Sequence, residues 1–514
     1  MSSDKFAWLD ATAQAELIAK GEVTPAEIIE AAIARIERLN PKINSVVYPR
    51  YEKARAEARA SNASRGGIFR GVPFLMKDLS EMVAGEQTSW GWKVFKDARF
   101  VARSTSHVAN KFREAGLITL GQTTVPEWGP SLATETRAWG ATRNPWNLER
   151  GAGGSSGGAG ASVASGMVPI AHGNDAGGSI RIPASFCGIV GLKPSRGRTS
   201  IGPGHADIWH GLGEEGVLVR SVRDAAAALD VVGGYMPGDP YTAPALSRPS
   251  REEIRNAPGK LRIGFMDRAP SFHPGIDAEC ATAVRNAAKL LESLGHRVEQ
   301  NHPAILDDER IFDASGALIS KSEAPAPVDG EQIPGPDDER PRDPIGILVA
   351  SAEALTAVDA EKILGRALVA EDFDPWTWFL IERGRQVTGV ELLVSREWIN
   401  EFTRTTARWW TGGFDILVTA TLATPAPPIG VFKPEPNEDP ADIGRRMGDI
   451  SPFTIPWNIA GNPAISLPLH MTKDGMPVGV QFVAAYGRED LLLRLAAQIE
   501  QAAPWANRRP PISA

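Results

Sequence analysis

Cysteine is scarce in this sequence, with two residues, Cys187 and Cys280, in a chain of 514. They lack C-x-x-C spacing and cannot build a disulfide framework, which favours a reducing compartment. No run of about 18 uncharged apolar residues occurs, and the first residues carry no long apolar stretch, so neither a membrane span nor a signal peptide is predicted. Together these absences predict a cytoplasmic protein without a membrane partner.

An excess of positive charge is also missing. The formal net charge is −7, and Lys and Arg form no block along the chain. A nucleic-acid partner is therefore not expected, because such proteins need a basic surface to hold phosphates. Hydrophobic residues make up 42% and charged residues 23% of the chain, which is ordinary for a globular protein. A chain of this length can bury a large core without disulfide bonds or structural metal ions.

Metal-binding and histidine-based catalytic motifs are absent as well. The eight histidines include no H-E-x-x-H pair and no other metal-ligand spacing, and none has an obvious partner. No metal and no cofactor is predicted. A serine nucleophile in this chain would need another base, and a buried lysine can serve once desolvation lowers its pKa.

The order of predicted elements indicates an α/β fold. Apolar stretches that predict strands alternate with segments of helical periodicity, which implies a sheet covered by helices on both faces. The predicted strands lie at 71–76, 117–120, 168–171, 261–265, 414–419, 463–469 and 478–484. The predicted helices lie at 11–20, 24–40, 50–62, 105–116, 222–232, 277–294 and 488–502. We expect a single domain over 1–514, with a surface insertion or lid at 303–350, where Pro, Asp and Glu dominate.

The stretch 151–166 is unusually rich in glycine. Such density indicates close backbone approach or positive φ, because glycine otherwise costs backbone entropy. A linker or a tight helix-packing site would also produce it, and Gly153-Gly-Ser-Ser-Gly157 weakly matches the G-x-S-x-G nucleophile elbow. Phosphate-loop patterns do not fit. Lys77, at the end of a predicted strand, is the best candidate base, although an ordinary strand-end lysine is the simpler interpretation.

Longer motifs carry a family resemblance. The segments Gly153-Gly-Ser-Ser-Gly-Gly158, Gly173-Asn-Asp-Ala-Gly-Gly-Ser-Ile-Arg-Ile-Pro-Ala184 and Cys187-Gly-Ile-Val-Gly-Leu-Lys-Pro194 closely resemble the signature of the amidase signature family. Further segments resemble its lysine strand, substrate loops and C-terminal strands, in the same order: 71–78, 121–127, 143–147, 456–468 and 475–481. The resemblance implies the amidase signature fold, with a central mixed β-sheet, and hydrolysis of C–N amide bonds.

Carried over residue by residue, the resemblance implies a Ser–cis-Ser–Lys triad. Lys77 matches the base, Ser155 matches the bridging serine, and Ser179 matches the nucleophile that forms an acyl-enzyme. In this family the bridging serine follows a cis peptide bond, here Gly154–Ser155.

The resemblance also assigns the surroundings of the nucleophile. The oxyanion would be held by backbone N–H groups of Ala176, Gly177, Gly178 and Ser179. Asp175 and Arg181 match positions that brace this loop, and a plain structural ion pair is an equal alternative for them. The chain departs from the usual family pattern at Gly151-Ala152 and at Asn174-Asp175-Ala176, which bears on the shape of the acyl pocket.

Within the family, segments 10–17, 138–147, 171–175 and 483–493 resemble the branch that hydrolyses nylon oligomers, whereas 303–375 does not. The expected substrate is a small non-peptide amide, cyclic or linear. Carbamates or anilides, as taken by urethanases and aryl acylamidases, are the first alternative, and a tRNA-dependent amidotransferase subunit is the second. Dimers are common in the family, so a homodimer is the expected assembly. The candidate pocket-lining residues are Trp128, Trp139, Trp376 and Trp378.

Overall fold

The computed structural model describes residues 5–61, 67–79, 83–308 and 343–514. The strands of these residues, in chain order, are β1 Val46–Val47, β2 Pro73–Lys77, β3 Ile118–Thr123, β4 Glu135–Thr136, β5 Gly140–Ala141, β6 Arg143–Asn144, β7 Asn147–Gly151, β8 Ile170–Asp175, β9 Val190–Lys193, β10 Glu214–Val219, β11 Arg262–Met266, β12 Arg297–Gln300, β13 Ile416–Ala420, β14 Ala464–Met471 and β15 Pro477–Ala484.

The α-helices of the same residues are α1 Ala11–Ala19, α2 Pro25–Ile43, α3 Tyr51–Ala60, α4 Lys93–Asp97, α5 His107–Glu114, α6 Gly157–Ala164, α7 Arg181–Cys187, α8 Val222–Val232, α9 Ser250–Glu253, α10 Ala278–Ser293, α11 Pro344–Leu364, α12 Pro375–Gln386, α13 Gly389–Thr411, α14 Pro440–Ile450, α15 Ile455–Ile459 and α16 Glu489–Ala502. None of the helices in these described ranges is long and apolar enough to cross a membrane.

Eleven strands form one mixed sheet in the order β1-β3-β2-β8-β10-β9-β14-β15-β13-β11-β12. Strand β2 runs parallel to both β3 and β8, and β10 pairs antiparallel with both β8 and β9. The ends of β2 and β8, which carry Lys77 and Asp175, therefore lie at the same edge of the sheet.

Side chains along strand β2 alternate between two apolar clusters, one on each face of the sheet. In β2, Phe74 and Met76 join the cluster that includes residues of α5, α8, α10 and α16. Leu75 joins the other cluster, which includes residues of α2, α3 and α6. Helices thus cover both faces, and the predicted α/β fold with a central mixed sheet is confirmed.

Two strands run further than their sequence pattern predicts. Strand β3 continues past Gly121 to Thr123, because its ladder with β1 and β2 continues there. Strand β8 continues to Asp175, held by its antiparallel pairing with β10. Asn174 and Asp175 therefore lie in a buried strand, and the expected end of this strand at residue 171 is corrected by ladder pairing that the local pattern does not reveal.

The glycine-rich stretch contains a buried helix, α6. Its glycines permit close packing: a Cβ on Gly158 would lie 2.5 Å from the backbone nitrogen of Thr124. The helix-packing interpretation, one of those left open above, therefore applies to part of this stretch.

The predicted insertion at 303–350 falls mainly on 309–342, outside the described residues. At its edges, 304–307 form a short 3-10 helix, and α11 begins at Pro344 with Asp343 accepting a hydrogen bond from Gly346 N–H. That residues 1–514 form a single domain stays a prediction.

Candidate active site

Lys77 ends strand β2 with no solvent exposure. Its Nζ lies 2.7 Å from Ser155 Oγ and 2.5 Å from Asn174 Oδ1. Burial lowers the pKa of Lys77 to about 7, although the charges of Glu215 and Asp175 act in the opposite direction. A neutral amine in contact with a serine hydroxyl can accept its proton, so the base expected from the resemblance lies beside the expected bridging serine.

Ser155 lies in the turn between β7 and α6, and the Gly154–Ser155 peptide is cis. Its side chain is enclosed by the loop that follows β3. A Cβ on Gly154 would lie 2.5 Å from the Ser131 carbonyl oxygen, and a Cβ on Gly129 would lie 3.8 Å from Ser155 Oγ. Only glycine allows this loop to approach Gly154 so closely.

Ser179 lies in the turn between β8 and α7. Its carbonyl oxygen accepts a hydrogen bond of 3.2 Å from Ser156 N–H, which joins the two serine segments. Lys77 and Ser155 are buried, whereas Ser179 is partly exposed. Of the three residues, Ser179 is therefore the one that a substrate can reach.

Asp175 and Arg181 form a fully buried ion pair behind this turn. Asp175 accepts hydrogen bonds from Gly178 N–H at 2.7 Å and Ile180 N–H at 3.2 Å. Burial by itself would raise the pKa of Asp175, but the Arg181 guanidinium outweighs it and holds that pKa well below its usual range. The guanidinium also donates to oxygens outside the turn, those of Thr454, Gln481 and Asn458.

The four N–H groups expected to form the oxyanion hole are not equivalent. Gly178 N–H donates to Asp175 at 2.7 Å, whereas the role expected for it in the oxyanion hole stays a prediction. The same peptide unit is held from its other end, because the Thr454 hydroxyl donates to Gly177 O at 2.6 Å. Within the described residues, the N–H groups of Ala176, Gly177 and Ser179 donate to no protein acceptor.

Comparison with known proteins agrees with this geometry. The model of the amidase family matches residues 27–493. This chain belongs to the amidase family. It is 42% identical to the 6-aminohexanoate-cyclic-dimer hydrolases of Paenarthrobacter ureafaciens and Pseudomonas sp. (strain NK87), over 98% of this chain and 97% of each relative. It is an amide hydrolase.

Solved amidase structures share the whole fold. A 6-aminohexanoate cyclic dimer hydrolase complexed with substrate matches with a TM-score of 0.89 and 41% identity, covering 99% of this chain and 100% of that one. A bacterial aryl acylamidase of the amidase signature family matches with a TM-score of 0.83 and 27% identity, covering 98% of this chain and 99% of that one. The amidase signature fold expected from the motifs is confirmed.

Three of the four predicted tryptophans of this amidase lie around the loop that follows β3. Trp128 and Trp378 both pack against Phe373, and the Trp376 indole N–H donates to Pro130 O. Trp139 lies apart from them. Its indole N–H donates to Ser89, and Lys96 lies over its ring; both contacts are typical of packing.

Two buried carboxyl groups near this loop were not predicted. Burial raises the pKa of Glu127 to about 8 and the pKa of Glu353, on α11, to about 8, and the charge of Glu127 adds to the shift at Glu353. In the part of the chain that the structure describes, one oxygen of each carboxyl lacks a hydrogen-bond partner. Glu127, Ser131 and Trp376 line a cavity of about 250 Å³. The lining does not include Lys77, Ser155 or Ser179; its link to the serine segment is the Ser131 backbone, which lies against Gly154.

A second unpredicted group lies beside Lys77 itself. His172, described above as a histidine without an obvious partner, pairs with Glu215 at 2.6 Å, and both side chains are buried. The partner is 43 residues away along the chain. No local motif could reveal the pair; the only signal is that polar residues interrupt two otherwise apolar strands.

Proposed function

We propose that this amidase hydrolyses small non-peptide amides of the aminohexanoate type, with Ser179 as nucleophile, Ser155 as proton relay and Lys77 as base. The observation that carries the proposal is the 2.7 Å contact between the fully buried Lys77 amine and Ser155 Oγ. A lysine whose pKa is about 7 is neutral in a large fraction of molecules near neutral pH, as a general base must be.

The proposed steps follow from this arrangement. Lys77 takes the hydroxyl proton of Ser155, while Ser155 takes that of Ser179, and Ser179 Oγ bonds to the amide carbon. The oxyanion accepts hydrogen bonds from the free N–H groups of the turn, those of Ala176, Gly177 and Ser179. The relay then delivers a proton to the leaving nitrogen as the C–N bond breaks. Water attacks the acyl-enzyme with the same relay and releases the acid.

The substrate class rests on the relatives and on the cavity. Two relatives of 42% identity act on the cyclic dimer of 6-aminohexanoate. The cavity of about 250 Å³ near the serine segment suits a ligand of that small size. Its tryptophan and carboxyl lining offers apolar contact for methylene chains and polar atoms for a second amide group.

Anilides are the second candidate substrates. The aryl acylamidase of similar structure supports them, and Trp376, which lines the cavity, provides aromatic surface for an aryl ring. Carbamates stay in the test as alternative substrates. Glutamine is tested as well, because an amidotransferase subunit would use it. A homodimer and a cytoplasmic location stay predictions.

The test is a panel of purified enzyme against the cyclic and linear aminohexanoate dimers, nitroacetanilide, a dicarbamate and glutamine. We expect turnover of an aminohexanoate dimer, and we expect Ser179→Ala to abolish it. Ser162→Ala is the matched control, because Ser162 is a buried serine of α6 that bonds to Ser45. Hydrolysis of glutamine alone would overturn the substrate class. Unchanged turnover in Ser179→Ala would overturn the mechanism.

A further inference from the structure

The pair His172–Glu215 lies directly beside the proposed base, and the steps above do not use it. Lys77 backbone N–H donates to His172 Nδ1 at 3.3 Å, and His172 Nε2 contacts Glu215 Oε2 at 2.6 Å. Because Nδ1 accepts a hydrogen bond, the imidazole proton sits on Nε2 and is donated to the carboxylate. The Phe112 ring covers the imidazole at 5.7 Å.

Strand register brings this pair close to the Lys77 amine as well. Glu215 of β10 lies opposite Asn174 of β8, and His172 lies two residues before Asn174, so alternation places all three side chains on one face. Asn174 Oδ1 in turn accepts from Lys77 Nζ at 2.5 Å. Glu215 is thus linked to the Lys77 backbone through His172, and it lies opposite Asn174, which accepts a hydrogen bond from the Lys77 amine.

Among the described residues, few other charged groups act at this position. Two carboxylates raise the pKa of Lys77: the effect of Glu215 is the larger, and Asp175 is ion-paired with Arg181. Asp78, the next residue, is bonded to Thr88 and Ser89. Glu214, adjacent to Glu215, points to the opposite face by alternation and bonds to Gly197 N–H and Thr199.

We propose that His172 and Glu215 are positioning residues for the base: the imidazole holds the backbone of Lys77 in place, and the Glu215 carboxylate supplies the negative charge that keeps the Lys77 amine basic. The inference rests on the proposed function of Lys77. A fully buried lysine without a counter-charge would lose basicity, and with it the ability to take a proton from Ser155. Asp175 is ion-paired with Arg181, and of the two carboxylates Glu215 has the larger effect on Lys77.

The pH dependence of the nucleophile tests the proposal without knowledge of the substrate. A fluorophosphonate labels Ser179, and the rate of labelling is measured by intact mass from pH 5 to 9. The reaction requires neutral Lys77. In the wild type we expect the rate to rise through about pH 7. Glu215→Gln removes the charge, so the rise should move about one unit lower, and labelling at low pH should be about tenfold faster relative to its own plateau.

Glu214→Gln is the control for the loss of a buried carboxyl group on the other face. Burial raises the pKa of Glu214 to about 8, so this variant removes no negative charge from beside Lys77, and its rise should stay at the wild-type pH. The double variant His172→Leu/Glu215→Leu replaces the pair by apolar side chains and should shift the rise in the same direction as Glu215→Gln. His172→Gln keeps one donor and one acceptor and should keep the wild-type position.

Two results separate the possible failures. A rise at the wild-type pH in Glu215→Gln, or in the double variant if only that one folds, overturns the role of the pair. A wild-type enzyme that is not labelled at Ser179 overturns the proposed nucleophile instead.

Discussion

The active site contains two fully buried cations, Lys77 and Arg181, and they differ in nearly every other respect. Arg181 forms a bidentate ion pair with Asp175 and donates to three further oxygens. Among the residues that the structure describes, no carboxylate lies within ion-pair distance of Lys77, and burial lowers its pKa to about 7. Arginine cannot lose its proton in such surroundings, whereas lysine can.

This difference separates a group that holds structure from a group that moves protons. The Arg181 side of the site is saturated with hydrogen bonds, which fixes the turn carrying Ser179 and its N–H groups. At Lys77, the nearby carboxylates compensate only partly for the effect of burial, so the pKa of Lys77 stays close to neutral pH. Replacing Lys77 should therefore mainly lower activity, whereas the same replacement at Arg181 should mainly lower stability.

The largest expected effect is on activity when Lys77 is replaced. Lys77→Met should lower kcat/KM by roughly 10³- to 10⁴-fold, because the relay through Ser155 loses its base. The variant should remain folded, as circular dichroism and size-exclusion chromatography will show. Activity within tenfold of the wild type would remove Lys77 from the mechanism.

The matched substitution at the other cation should affect folding first. Arg181→Met leaves Asp175 buried without its partner, and breaking such a pair costs about 3–5 kcal/mol in the free energy of unfolding. Urea denaturation of the wild type and the variant measures the difference. If Arg181→Met were as stable as Lys77→Met, the contrast between the two cations would fail.

The turn itself should tolerate little change. A Cβ on Gly178 would lie 2.5 Å from Thr454 Oγ1, and its φ of +133° is unfavourable for any other residue. Gly178→Ala should cost about 1–3 kcal/mol in the free energy of unfolding. Gly204→Ala, in open space without positive φ, is the control and should change stability little.

The most gradual expected effect is the pH dependence of stability. The pKa of Lys77 is about 7 in the folded protein against an ordinary 10.5, so between these values the unfolded chain holds a proton that the folded chain lacks. Wild-type stability should therefore rise with pH relative to Lys77→Met above pH 7, by about 1.4 kcal/mol per unit. Below pH 7 the difference should be constant. Urea midpoints of both proteins between pH 6 and 9 test this sign.

Much of the fold follows from local patterns. The helix predicted at 222–232 forms as α8 over the same residues, and the strand predicted at 71–76 forms as β2 with Lys77 at its end. Strand ends were less predictable, because the extension of β8 to Asp175 depends on pairing with β10. Which lysine lies beside a serine was not predictable from periodicity either; only the family resemblance pointed to Lys77.

The sequence by itself determined the class of fold and the glycine-rich turns, because periodicity and glycine density are local properties of the chain, and its family resemblance supplied the three residues proposed for the triad. Only the tertiary structure decided how these residues are surrounded. It showed that Asp175 accepts a hydrogen bond from Gly178 N–H, that Arg181 donates hydrogen bonds to residues around the turn, and that His172 and Glu215 lie beside Lys77. Except for the bond within the turn, these contacts join segments far apart in sequence, so neither partner alone reveals the contact.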